Sequence, residues 1–380
     1  MNQRRYLMVT GPTEVSERVL RAFMRPAVNH LNPKFAEDMD ETDDLLRKIF
    51  QTKNEIVYFP GSGRCGLEAA ALSILEPGDR ALVVHNGVFC RMNRDIIRCV
   101  GGVPETVDFD WRRAADPKVV EERVVKGDYK LLVVVHSETS TGVLNPIKEL
   151  GEVARRNGLL YMVDAISSAG GVDIRTDDWG IDLLVTGSQK CLGCLPGMAI
   201  IAVSNRAFEA MEARKTPARS FAFDLYKWKL MWVPKERGGK VVWGFRRQPI
   251  TMATHMVYAL NEACKEVLEE GLEARFRRHE EVGRMMRAGI RELGLEVFCA
   301  KEEEASPTIT GIIAPEGIRE RELREIMLKR YNVEVAGGME ELSGKMFRIG
   351  HMANTADEAH VLVTLKALEG ALKEKGYRKS

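Results

Sequence analysis

The stretch LLYMVDAISSAGGVDIRTDDWGIDLLVTGSQK, residues 159–190, decides how the chain folds. It holds two short apolar runs, LLYMV (159–163) and DLLVT (182–186), both rich in branched side chains. Runs of that length and character are strands buried on both faces, as in the middle of a parallel sheet. Each ends in residue types that carry chemistry. The first runs into Asp164, the second into Gly187, Ser188, Gln189 and Lys190. Parallel strands place their carboxyl ends at one edge of the sheet, where open α/β sheets bind ligands. Asp164 and Lys190 are therefore expected at the same edge. Alone, such an acid is more often a helix cap, and one lysine among 56 Lys and Arg is an ordinary solvated amine. The pair gains meaning from what surrounds it.

Working outward, EIVYF (55–59), ALVVH (81–85), KLLVVV (130–135) and MAIIAV (198–203) read as further strands. Helical patterns lie between them at 65–75, 93–100, 116–125 and 147–157. This alternation predicts an open, mostly parallel α/β sheet. The character changes near residue 260. Residues 259–293 form one long helical pattern, bent near Gly271. TITGIIA (308–314), NVEVA (332–336) and KMFRIG (345–350) read as strands of a second sheet, and 319–331 and 356–374 as helices. Asn354 or Thr355 is the expected N-cap of the last helix. The expected layout is an N-terminal arm (1–16), a large domain (17–268) and a smaller α+β domain (269–380). The segment from about 212 to 249 reads as irregular, aromatic and basic.

Composition narrows the function. The chain has 380 residues, 45% hydrophobic and 29% charged, with a formal net charge of +1. That balance gives no reason to expect nucleic acid or an anionic membrane as partner. The longest apolar runs are about six residues, far short of the ~20 that span a bilayer. The N-terminus has no signal-peptide core, and the seven cysteines are scattered and odd in number. A cytoplasmic location is the expectation.

GSGRCGLEAAALSIL (61–75) follows a strand and opens a helix, so Ser62, Gly63 and Arg64 would offer backbone N–H groups to an anion at the helix start. It also reads as a plain tight turn. A phosphate cradle, a strand-end acid and a strand-end lysine, in that chain order, are what pyridoxal 5′-phosphate needs: an anion site, a pyridinium partner and a Schiff-base amine. Cys191 and Cys194 form a Cys-x-x-Cys pair beside Lys190. Pro196 and Gly197 follow at once, no second pair exists, and the seven histidines are isolated, so packing is the better reading than redox or metal binding. Arg348, in KMFRIG, is expected at a strand end, suited to capturing a carboxylate.

These residues resemble the class V, fold type I, aminotransferases, in particular the alanine–glyoxylate and serine–glyoxylate (pyruvate) group. The resemblance runs from TGPTEV (10–15) to RIGHM (348–352), through GSGRCGLEAA, HSETSTGVLNPI (136–147), VDAISSAGG, TGSQKCLGCLPG and GKMFRIG. It implies a mostly parallel seven-stranded sheet in the large domain. It implies that Lys190 is the Schiff-base lysine and that Asp164 pairs with the pyridinium nitrogen. Ser62, Gly63 and Arg64 would bind the phosphate, with Gln189 as a further donor. Phe89 would stack on one face of the ring and Ile166 pack on the other, with Thr139 near the ring hydroxyl. Gly11 and Arg348 would meet the substrate, Arg348 at its carboxylate. Thr251 would reach the phosphate of the neighbouring subunit, which implies a homodimer.

The implied reaction is a ping-pong transfer of an amino group from alanine or serine to glyoxylate or pyruvate. One departure bears on substrate: Gln248 stands where the alanine–glyoxylate enzymes carry an aromatic residue. KCLG and RIGHM also resemble pyridoxamine–pyruvate aminotransferase, and ETSTG and QKCL ureidoglycine–glyoxylate aminotransferase. A cysteine desulfurase or lyase is a further alternative, for which Cys299 is the one late cysteine.

Overall fold

The computed structural model describes residues 5–232, 236–237, 240–241 and 248–379. Seven strands form the large sheet, in the order Glu55–Pro60, Met198–Val203, Leu183–Gly187, Leu160–Asp164, Leu131–Val135, Arg80–His85, Val103–Asp108. Met198–Val203 is antiparallel to both neighbours, and the other six strands share one direction. The three central strands are buried at every position, hence their unbroken apolar runs. Val103–Asp108 was not anticipated. It lies at the sheet's edge, is mostly accessible along its length, and carries Pro104, which a central ladder would not tolerate.

Asp164 closes its strand, in register with Val135 on one side and Val185 on the other. Lys190 follows just past the end of Leu183–Gly187. Two helices begin at this edge, Gly63–Ile74 and Val88–Cys99. The second starts five residues before its expected position at 93. Its N-cap, Gly87, has no side chain to cap with. The carboxylate of Glu138 serves instead, accepting from the amides of Phe89 (3.4 Å) and Cys90 (3.2 Å).

The described residues form two main apolar cores. The first surrounds the large sheet and takes Val257, Leu260 and Val267 from helix Thr254–Glu270. The second takes Val282, Met286 and Ile290 from helix Leu272–Glu292. Gly271, at φ +83°, separates the two helices, so the expected bend is where the chain leaves one core for the other. The second core also contains Met8 and Val143. Its sheet runs Ile309–Ile313, Met346–Gly350, Ala336–Gly337, all antiparallel.

Four expectations need correction here. NVEVA is not one strand: Val333–Glu334 pairs with the N-terminal Tyr6–Leu7, and Ala336–Gly337 with Met346–Gly350. Arg348 lies in the middle of its strand, between Gly311 and Ala336, not at its end. The last helix, Glu358–Glu374, is capped by Asp357, whose carboxylate accepts from the His360 amide (3.1 Å). Leu225–Trp232 is a helix within the supposedly irregular segment, and its Trp228 is fully buried 5.5 Å from Phe59. Within that segment, residues 233–235, 238–239 and 242–247 lie outside the described residues. Among those described, no helix is long and apolar enough to cross a membrane.

Candidate active site

The carboxyl ends of the central strands open into a cavity of about 310 Å³, within the size range of small-ligand sites. Asp164 and Ile166 reach it from one strand end, Gln189 and Lys190 from the next. Ser62, Gly63 and Arg64 line it from the start of helix Gly63–Ile74, and Phe89 from the start of Val88–Cys99. Thr139 and Arg348 come from the two sides of the boundary between the cores, and Gly11 from the N-terminal segment. The sequence reading named all of these. Thr251 does not line the cavity, and is exposed on the single chain.

Asp164 is 4% exposed. Its Oδ1 accepts from the Ile166 amide (3.1 Å) and its Oδ2 from Asn93 Nδ2 (3.2 Å). Burial raises its pKa to about 6, since a low-dielectric surrounding disfavours the charged form. Lys190 Nζ donates to the Thr10 carbonyl. Burial, with Arg348 and Arg64 nearby, lowers the Lys190 pKa to about 8. A Cβ on Gly11 would collide with the Lys190 side chain, so the arm passes directly over the amine. Arg348 is buried, and donates from Nε (2.9 Å) and Nη2 (2.7 Å) to the Gly337 carbonyl and from Nη1 (3.0 Å) to that of Thr139. That fixes the guanidinium plane and leaves two of its five N–H donors for a ligand.

The residues fit the cofactor their types suggest. Ser62 precedes its helix without capping it, so the first amides of the helix remain open to an anion. Gln189 lines the same cavity, and the N–H groups of its side-chain amide can donate to an anion there. Gly63 packs so closely that a Cβ there would lie 2.6 Å from Ile166 Cδ1. Asp164 is a buried carboxylate with no cationic side chain paired to it among the described residues, which suits a protonated ring nitrogen.

Other features recede. Cys191 and Cys194 are buried, and burial pushes both thiols up to about 12, far from thiolate formation. Cys191 packs with Ile309 and Met352, while Cys194 belongs to the main core. Cys299 is buried, lies outside the cavity, and donates to the Lys301 carbonyl (3.3 Å). Thr10, Leu67, Met92, Val135, Ser167 and Met339 also line the cavity and were not named as site residues from the sequence. The sequence reading also missed Asn93, the amide that holds Asp164. Its spacing from Phe89, four residues on the same helix, was the available signal.

A strand-end lysine and acid, a helix-start anion cradle and a buried arginine in one cavity define a pyridoxal phosphate enzyme of fold type I. A model of the family aminotransferase class-V matches residues 5–356. The chain is 39% identical to an uncharacterized aminotransferase of Methanocaldococcus jannaschii, over 98% of this chain and 94% of that protein. It superposes on the crystal structure of ureidoglycine–glyoxylate aminotransferase from Bacillus subtilis with TM-score 0.93 and 34% identity, covering 100% and 96% of the two chains. An alanine–glyoxylate aminotransferase from Nostoc sp. gives TM-score 0.91 and 31% identity, covering 98% and 96%. The chain belongs to the class V aminotransferases and is a pyridoxal phosphate-dependent transaminase.

Proposed function

We propose that this transaminase moves the amino group of a small amino acid, alanine or serine, to glyoxylate or pyruvate in two half-reactions, and that Lys190 does the proton work. The observation that carries this reading is the Lys190 amine, oriented by Thr10, in one cavity with Asp164 and Arg348. Pyridoxal phosphate, when bound, supplies the electron sink that weakens the bonds at an amino acid's α-carbon. Ser62, Gly63, Arg64 and Gln189 would hold its phosphate, Asp164 its ring nitrogen, Phe89 and Ile166 its two faces, and Thr139 its hydroxyl side. Arg348 takes the substrate carboxylate and sets the orientation of the α-C–H bond. With its pKa lowered to about 8, Lys190 is well matched to accept and return the α-proton near neutral pH.

The active unit is read as a homodimer, with Thr251 of each chain serving the other's phosphate site. Its exposure, away from its own cavity, supports this. Mixed dimers of Lys190→Ala and Thr251→Ala chains should then regain activity through one intact site. A contribution within the same chain would allow no such rescue.

A second reading replaces the donor with ureidoglycine, supported by the likeness to the Bacillus subtilis enzyme and by Gln248. A panel of alanine, serine, ureidoglycine and pyridoxamine against glyoxylate and pyruvate decides between them. Added pyridoxal phosphate should give a visible absorbance band that Lys190→Ala lacks. A wild-type protein that binds no pyridoxal phosphate would sink the proposal.

A further inference from the structure

Asn93 lies on helix Val88–Cys99, one turn after Phe89, and is fully buried. Its Nδ2 meets two acceptors, the Phe89 carbonyl (3.1 Å) and Asp164 Oδ2 (3.2 Å). Because both facing atoms accept, the amide can present only its nitrogen to them. The bond to Phe89 ties the side chain back to the preceding turn of its own helix, which leaves the second N–H for Asp164. Asn93 does not itself line the cavity. It touches two residues that do, Phe89 and Asp164. These contacts are complete within one chain.

Two donors hold Asp164. The Ile166 amide takes Oδ1 (3.1 Å) from the same loop, and Asn93 takes Oδ2 from a separate helix. The last torsion of an aspartate is broad, so one contact would leave the carboxylate plane free to turn. Contacts at both oxygens fix it. Burial strengthens the hold of this carboxylate on a proton, while the Ile166 amide and Asn93 weaken it. Beyond them, Glu138 strengthens that hold and Lys190 weakens it, neither through a hydrogen bond. Of the two bonded donors, only Asn93 is a side chain, and so only it can be removed without altering the backbone.

We propose that Asn93 is a positioning residue whose amide sets the plane of the Asp164 carboxylate and keeps it a charged acceptor for the cofactor's ring nitrogen, beside the Phe89 ring. This rests on the assignment of Asp164 to the ring nitrogen made above, and adds the group that holds Asp164 to that task.

Two substitutions remove the donor: Asn93→Ala, and Asn93→Leu, which keeps the volume should the smaller side chain weaken the fold. Two compounds report on the carboxylate: pyridoxal phosphate, and its deaza analogue with carbon in place of the ring nitrogen. They share the phosphate and the ring face. Calorimetry should show the wild-type preference for pyridoxal phosphate reduced about tenfold in each variant, the scale of one hydrogen bond to a charged group. In the cofactor-free variants the Asp164 carboxyl, followed by carbon NMR, should hold its proton about tenfold more tightly than in the wild type. For alanine, kcat should fall with KM nearly unchanged, because Arg348 still takes the carboxylate. Asp164→Asn is the reference and should erase the preference altogether. If the preference survives in Asp164→Asn, the assignment of Asp164 fails, and this inference with it. If it vanishes there but persists in both Asn93 variants, only this inference fails. Equal weakening of the two compounds, with the Asp164 proton affinity unchanged, also overturns it, because Asn93 would then serve only the packing of its helix.

Discussion

Asp164 shows how a single residue is set against stability for the sake of function. In the unfolded chain its carboxyl ionises near pH 4, and in the cofactor-free fold near pH 6. Between those values the folded state binds the extra proton. Asp164 therefore adds stability below about pH 4, a contribution lost as the pH rises to about 6. At neutral pH it is a net cost, of the order of 1–3 kcal/mol given its two hydrogen bonds. Asp164→Asn is expected to raise the stability of the cofactor-free protein at neutral pH by roughly that amount, as read by urea unfolding. The same change should lower kcat/KM about a hundredfold or more, because the charge facing the ring nitrogen is gone. A variant that loses activity without gaining stability would show that the carboxylate is well solvated after all. Lys190 and Asp164 were legible because each follows an apolar strand whose end marks the ligand edge. Thr10 and Asn93 were not, because one contributes only a carbonyl and the other acts through Asp164.

At the scale of elements, the helix Val88–Cys99 depends on a residue 48 positions away. Glu138 is fully buried and accepts from two of its amides, from the Ser140 amide (2.9 Å) and hydroxyl (2.5 Å), and from the Cys90 thiol (3.3 Å). Glu138→Ala would strand these donors, and a loss of about 3 kcal/mol or more is expected. The amides of residues 88–93 should exchange faster with solvent. Because this helix carries Phe89 and Asn93 to the site, pyridoxal phosphate should also bind more weakly. Gly271 makes a cleaner case. At φ +83° and ψ 137°, with open space where a Cβ would lie, its requirement is purely conformational. Gly271→Ala should cost about 1–3 kcal/mol, seen as a lower urea midpoint with kcat unchanged. The bend at Gly271 was legible because the rule there is local. The start of Val88–Cys99 was not, because the cap comes from another part of the chain.

At the scale of the whole molecule, the central strands announce themselves by apolar runs, while pairings between distant segments leave no local trace. The split of NVEVA is such a case: Val333–Glu334 is taken by the N-terminal strand Tyr6–Leu7. That arm joins the second core to the site. It buries Met8, and then places the Thr10 carbonyl on Lys190. Thr13 Oγ1 donates to the Met352 carbonyl (2.8 Å), and Asn354 Nδ2 to the Glu14 carbonyl (3.0 Å). One attachment is titratable. His360 Nε2 lies 3.5 Å from Glu14 Oε1, its Nδ1 meets the Asp357 carboxylate, and its ring stands edge-on to Tyr6. The nearby Glu14 carboxylate, and then Asp357, raise the His360 pKa above its ordinary value, against the opposing effect of burial. A histidine raised on folding adds stability that is complete below its unfolded pKa, near 6.5, and is lost as pH rises through the higher folded value. The arm should therefore be held more firmly at pH below the unfolded value than at pH above the raised folded value. Hydrogen exchange of residues 6–13, corrected for intrinsic rates, should show less protection on the alkaline side. His360→Gln should abolish that pH dependence. If the wild-type arm is equally protected at both values, the ion pair does not hold it, and the Met8 contacts with the two side-chain hydrogen bonds suffice to keep Thr10 over Lys190.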